Sequence, residues 1–207
     1  MKLGLIITTF NRVDYLRQCL SSISKADLSQ VATIMIVDDC STDKETIKLI
    51  NDFELDGIEL IKAFSKENRS IKWSLLFGLD ILFTTCDVVM NLDGDAIITK
   101  DAVSRLLKLR EQFPGHLITG FNCSTKNKNG SIRHKILEQG VGFNKKYSVG
   151  GIQLMFDKSE YLQIVRPALQ KSLTQMLNWD HQTCIISNDG YGKPIIVLEP
   201  SCVQHIA

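Results

Sequence analysis

A chain of 207 residues with 44% hydrophobic and 23% charged residues can bury a sizeable core, and that composition excludes a disordered or low-complexity protein. The formal net charge of +1 excludes a broad nucleic-acid footprint, which needs a clear basic excess, so no nucleic-acid partner is expected. No window approaches the roughly 18 apolar residues of a transmembrane segment, and residues 3–7 behind Met1-Lys2 are too few for a signal peptide.

Residues 3–8 are a continuous aliphatic run, the pattern of a strand buried on both faces in a parallel sheet. The run ends in Thr8-Thr9-Phe10-Asn11-Arg12. Leu16, Leu20 and Ile23 then recur at helical spacing, predicting a helix over 13–24 with Asn11 or Thr9 as its cap. Residues 33–37 predict a second buried strand closing on Asp38-Asp39-Cys40-Ser41-Thr42-Asp43, whose Ser-Thr-Asp cluster caps a helix over 44–53. A strand over 58–63, a helix over 71–83, a strand over 87–92 and a helix over 100–112, stopped by Phe113-Pro114-Gly115, follow. This alternation predicts an α/β fold with a mainly parallel central sheet and helices on both faces.

The second half is less regular. Residues 117–122 predict a strand, and 126–130 a polar hairpin tip with an Asn129-Gly130 turn. The basic run that follows, with Arg133, His134, Lys135, Lys145 and Lys146, reads either as a solvated loop or as an acceptor-binding flap or phosphate contact. Gly150-Gly151 before the apolar residues 152–156 suggests either a tight backbone approach to a ligand or an ordinary turn. Residues 158–176 are helical in character, with a break expected near Pro167. Asn178-Trp179-Asp180-His181 opens a further helix, where Asp180 suits a first-turn carboxylate, and residues 194–198 predict a final strand. The six cysteines are scattered, with no CxxC pair, and read as reduced thiols of a cytoplasmic protein. The abrupt close at His205-Ile206-Ala207 fits equally a complete chain and one domain cut from a longer protein.

Chemistry concentrates at residues 88–98, where an apolar run stops at Asp93 and Asp95 with only Gly94 between them. Two carboxylates so close, with apolar flanks, ionise together only if a positive charge sits beside them. A Mg²⁺ or Mn²⁺ ion carrying a diphosphate supplies that charge, since such ions bind through one or two carboxylates plus substrate phosphates. The alternative is a solvated Asp-Gly turn between two strands, since Asp-Gly is a common hairpin signal. Three strands ending in polar clusters, at 8–11, Asp38-Asp39 and 93–95, would converge on the sheet edge where α/β proteins bind ligands, which favours the metal and nucleotide reading.

The motifs Thr8-Thr9-Phe10-Asn11-Arg12, Val37-Asp38-Asp39-Cys40-Ser41-Thr42-Asp43 and Asn91-Leu92-Asp93-Gly94-Asp95 occur in this order. Gly150-Gly151, Trp179-Asp180 and Pro200-Ser201-Cys202-Val203-Gln204-His205 follow them. Together they resemble the GT-A fold glycosyltransferases of family 2, over nearly the whole chain. The resemblance implies one GT-A domain over 1–207, a nucleotide-binding half at 1–115 and a smaller acceptor and catalytic half at 116–207. It implies a nucleotide-sugar donor, most readily a UDP-sugar, and a glycan or other hydroxyl-bearing acceptor. Thr8 and Asp39, in a set with Asn11, Arg12, Asp38, Gly150 and Gly151, would bind the nucleotide, with Arg69 or Lys72 as a nearby cation. Asp93 would meet ribose and metal, Asp95 would be the main ligand of the Mn²⁺ or Mg²⁺, His205 would touch metal or diphosphate, and Asp180 would be the general base of an inverting transfer. The usual Gly after the double Asp is Cys40 here, and the usual Glu-Asp pair is Trp179-Asp180. A non-catalytic nucleotide-sugar binding module is the alternative. A sugar-1-phosphate nucleotidyltransferase is a third reading, disfavoured because no glycine-rich phosphate loop follows the first strand.

Overall fold

The computed structural model describes residues 1–123 and 134–207. The expected hairpin tip at 126–130 and Arg133 lie outside the described residues. Strands β1 (Leu3–Thr9), β2 (Val31–Asp38), β3 (Glu59–Phe64) and β4 (Val88–Asp93) pair in parallel in the order β3-β2-β1-β4. The sheet continues through β9 (Gln153–Asp157), β6 (Ile118–Thr119), β10 (Ile195–Leu198), β8 (Phe143–Lys146) and β7 (Ile136–Gly140), where only the β6–β10 pair is parallel. The α/β expectation holds, with the mixed character confined to the second half.

All seven residues of β1 are buried, and the two-residue period of a strand sends alternate side chains to opposite faces. Leu5 and Ile7 pack with Leu16, Leu20 and Ile23 of α1 (Val13–Lys25) and Leu106 of α4 (Ala102–Gln112). Ile6 packs on the other face with Leu75 and Leu79 of α3 (Ile71–Leu82) and Leu169 of α6 (Arg166–Gln175). Each such fully buried side chain contributes about 1.5–3 kcal/mol, so the central strand is held from both faces.

Local chemistry explains most element ends. Asp43 caps α2 (Lys44–Asp52) by accepting from Glu45 N at 3.1 Å and Thr46 N at 3.2 Å. The expected cap of α1 is corrected: Arg12 stands at the cap position with no side-chain bond, and Asn11 Oδ1 instead accepts from Thr42 N and Asp43 N, both at 3.0 Å. Cys40 has φ 67°, a left-handed backbone that glycine adopts without strain, which explains why glycine is usual there.

Two expectations in the second half change. Residues 158–175 run on without a break, through α5 (Lys158–Glu160), a π-helical turn at Tyr161–Val165 and α6, with Pro167 in the first turn of α6. The widened turn takes up the missing N–H and ring bulk of the proline. Of the basic stretch, Lys145 and Lys146 lie on β8 of a β7–β8 hairpin at the sheet edge rather than in a loop, His134 and Lys135 precede β7, and Lys146 is 3% exposed with Nζ donating to Asn122 Oδ1 at 2.6 Å. Among the described residues, no helix is long and apolar enough to cross a membrane.

Candidate active site

Parallel pairing of β1 with β4 sets Thr8 opposite Asp93, so both strands run out at the carboxyl edge of the sheet. The chain then turns tightly: Gly94 N donates to Thr8 O at 2.9 Å, and a Cβ on Gly94 would meet that oxygen at 3.0 Å. Glycine separates the carboxylates because β1 passes so close. Gly94 and Asp95 do form a turn between two strands, but it is partly buried and not a hairpin, since β5 (Ala96–Ile98) pairs not with β4 but with β11 (Val203–His205) in a separate two-stranded sheet. That pairing places His205 opposite Ala96 and its Nε2 3.4 Å from Asp95 Oδ2, which also accepts from Arg12 Nη1 at 2.8 Å.

Asp93 is more deeply placed. Its Oδ1 and Thr8 Oγ1 are buried without a hydrogen-bond partner. Burial, and then the charges of Asp95 and Asp180, push the Asp93 carboxyl well above the usual carboxylate range. The folded state therefore keeps a proton that the unfolded chain has released, and stability falls as pH rises from the unfolded value towards the raised one. Asp93→Asn removes that cost. At pH 7 without divalent cations the variant is expected to melt higher, by about 2–4 °C per kcal/mol relieved, for a chain of this size. An unchanged or lower melting temperature would contradict the burial argument.

Trp179 and Asp180 open α7 (Trp179–Ile185) behind Asn178. Asp180 Oδ2 accepts from Gly151 N at 3.2 Å and Oδ1 from His181 N at 2.8 Å, so both oxygens are oriented by backbone. Gly151 is in turn held by Asn91 Nδ2, which donates to its carbonyl at 2.9 Å. A Cβ on Gly151 would stand 2.5 Å from Trp179 Cζ2 and 2.9 Å from Asp180 Cβ, whereas one on Gly150 meets Phe121 at an ordinary 3.6 Å. The close approach at Gly151 is thus to the start of α7. Gly151→Ala is expected to cost about 1–3 kcal/mol and to displace Asp180, while Gly150→Ala is expected to stay near wild type. Equal denaturation midpoints for the two variants would refute this.

Two cavities meet here. The smaller, about 230 Å³, is lined by Thr8, Arg12, Asp39, Ser74, Asp93 and Asp95 among others. The larger, about 810 Å³, is lined by Lys72, His134, Gly150, Gly151, Asp180 and His205 among others, and Asp93 lines both. Thr8, Arg12, Asp39, Asp93, Asp95, Asp180 and His205 therefore each line one or both of these adjoining cavities.

Other expected residues are occupied elsewhere. Asp38 is buried and accepts from Ser41 N at 2.8 Å and from the Ser41 hydroxyl, and Asn11 clasps the 42–43 turn, so both shape the loop rather than face the cavity. The Arg69 guanidinium pairs with Glu67 and lies 5.4 Å from the Trp73 ring centroid, while its backbone N donates to Asp39 Oδ1 at 2.9 Å. Lys72 Nζ donates to Ser172 O at 3.1 Å, at the wall of the larger cavity. Ser74 lines the smaller cavity and was not singled out from the sequence, because a serine inside an apolar helix carries no local signal of the cavity it borders.

The donor chemistry fits a divalent cation at one point, the buried Asp93 Oδ1, near which only the Thr8 hydroxyl steadies the carboxyl, beside a second hard carboxylate on Asp95. Among the described residues, no group of three or more His, Cys, Asp or Glu forms a ready cage. The expected set Asp93, Asp95 and His205 is thus not a closed coordination sphere, and substrate phosphates would have to complete it.

Residues 5–173 match the model of Glycosyl transferase family 2. An N-acetylglucosaminyltransferase of Azorhizobium caulinodans is 29% identical over 106 residues, which is 51% of this chain and 26% of that protein. The chain spans between a quarter and a third of the length of the curated relatives it matches. The crystal structure of S. aureus TarS 1-349 in complex with UDP-GlcNAc gives a TM-score of 0.69 at 14% identity, covering 100% of this chain and 60% of that one. GalNAc-T7 with UDP, GalNAc and Mn²⁺ gives 0.68 at 13% identity, covering 100% and 43%. At such identities these two likenesses are of fold alone, the GT-A fold. With the family model reaching from β1 into α6, the chain belongs to glycosyl transferase family 2.

Proposed function

We propose that the protein transfers a sugar from a UDP-sugar, with UDP-GlcNAc the favoured donor, to an acceptor hydroxyl with inversion at the anomeric carbon. The carrying observation is that Asp93 lines both cavities, so a nucleotide pocket and a wider acceptor cleft share one wall of carboxylates. The relatives named N-acetylglucosaminyltransferase and the UDP-GlcNAc complex of TarS support the choice of sugar.

Asp39 is fixed by Arg69 N at 2.9 Å and Ser70 N at 2.8 Å, and each carboxylate oxygen keeps a lone pair for a base N–H. Asp93 and Asp95 would hold Mn²⁺ or Mg²⁺, with His205 beside them. The bound ion would neutralise charge growing on the leaving diphosphate. Arg12, already at Asp95, adds a cation at the same place. Asp180 takes the proton of the acceptor hydroxyl as its oxygen attacks the anomeric carbon, and direct attack inverts configuration. The acceptor, a glycan or another hydroxyl-bearing molecule, occupies the larger cleft.

The test is release of free UDP from UDP-GlcNAc in the presence of Mn²⁺, compared with UDP-glucose, UDP-galactose and GDP-mannose. Faster release from UDP-GlcNAc is expected. No release above the enzyme-free rate from any donor would overturn the proposal.

A further inference from the structure

Among the described residues, eight buried side-chain oxygens or nitrogens lack a hydrogen-bond partner, and three of them, Thr8 Oγ1, Ser74 Oγ and Asp93 Oδ1, belong to residues that line the smaller cavity. The other five line neither cavity of the site. Unpaired buried polar atoms are costly, so a cluster of them around one cavity marks where a ligand supplies the missing partners. Asp93 is accounted for by the cation and the Thr8 hydroxyl by its neighbour Asp93, but Ser74 by neither.

Ser74 lies in the first turns of α3, is 1% exposed, and its backbone N donates to Ser70 O at 3.2 Å. A buried helical serine commonly spends its hydroxyl on the carbonyl four residues back, and here that bond is not made. The same cavity is lined by Asp39, held by Arg69 N and Ser70 N, the residues immediately before α3. One short segment therefore positions both an obligate acceptor and a free hydroxyl.

We infer that Ser74 is a specificity-determining residue for the nucleotide base, its hydroxyl donating to a ring carbonyl next to the N–H that Asp39 accepts. The inference rests on the donor reading above and extends it. An ionised carboxylate accepts only, and a hydroxyl can donate, so the pair matches an edge with an N–H flanked by carbonyls. Uracil presents that edge. Cytosine presents an unprotonated ring nitrogen to Asp39 and an amino group beside it, which sets two acceptors against each other. Sites built to hydrogen-bond a ligand reject analogues that leave their buried groups unpaired.

The test is calorimetric titration of wild type and Ser74→Ala with UDP and with CDP, both with Mn²⁺, together with thermal melts of the free proteins. Free Ser74→Ala is expected to melt at or above the wild-type temperature, because an unpaired hydroxyl is removed. Its Kd for UDP is expected to rise roughly 5- to 30-fold while that for CDP moves less, narrowing the UDP preference. An unchanged UDP-to-CDP ratio would overturn the assignment, and so would a lower melting temperature, which would mean that the hydroxyl serves the fold. Wild type that binds UDP, with Ser74→Ala keeping the same preference, sinks only the role of Ser74. Wild type that binds neither nucleotide sinks the donor reading and this inference with it.

Discussion

Asp180→Asn is expected to lower sugar transfer by about 10²- to 10⁴-fold while leaving donor affinity nearly unchanged, because asparagine keeps the shape of the side chain and loses its basicity. The geometry makes this a clean substitution. Asp180 is held by two backbone N–H groups, at 2.8 and 3.2 Å, and an amide oxygen can still accept one of them. The residue lines the wide cleft and not the smaller cavity, so a nucleotide in the latter does not lose a contact. The measurement is kcat and donor KM with a fixed acceptor. A fall confined to kcat is the signature of a general base, and wild-type turnover in the variant would remove Asp180 from that role.

Asp95→Ala is expected to abolish the part of UDP binding that depends on manganese, a loss of roughly 100-fold or more, since losing a direct ligand exceeds the 10- to 100-fold seen for supporting residues. The substitution also releases Arg12 and His205, which now both face Asp95 at 2.8 and 3.4 Å. Residual, metal-independent affinity for the diphosphate should therefore persist and weaken with salt. A manganese increment in the variant equal to that of wild type would show that Asp95 does not bind the ion.

How far these residues could be read from the sequence depends on the range of the forces that place them. The aliphatic run of β1, the Asp43 cap and the carboxylates at 93 and 95 are local patterns, and they stand where the sequence reading puts them. The contact between His205 and Asp95 follows from pairing of β5 with β11, more than a hundred residues apart in the chain, which no short window encodes. The crowding of Gly151 by Trp179 is equally absent from any short window, because the two come close only when α7 docks. Asp38 and Asn11 carry the right chemistry in the right motif but turn into the loop, since a buried Asp and a left-handed Asn at φ 53° hold that loop together. Ser74 was silent for a related reason: whether a helical serine is buried and unpaired depends on how α3 lies against β1.

The most direct test of the account is calorimetric titration of the wild-type protein with UDP, and with GDP for comparison, in the presence and absence of Mn²⁺. UDP is expected to bind, markedly more tightly with Mn²⁺ than without it and more tightly than GDP. Absence of binding by either nucleotide with any metal would contradict it, leaving a GT-A framework without donor chemistry.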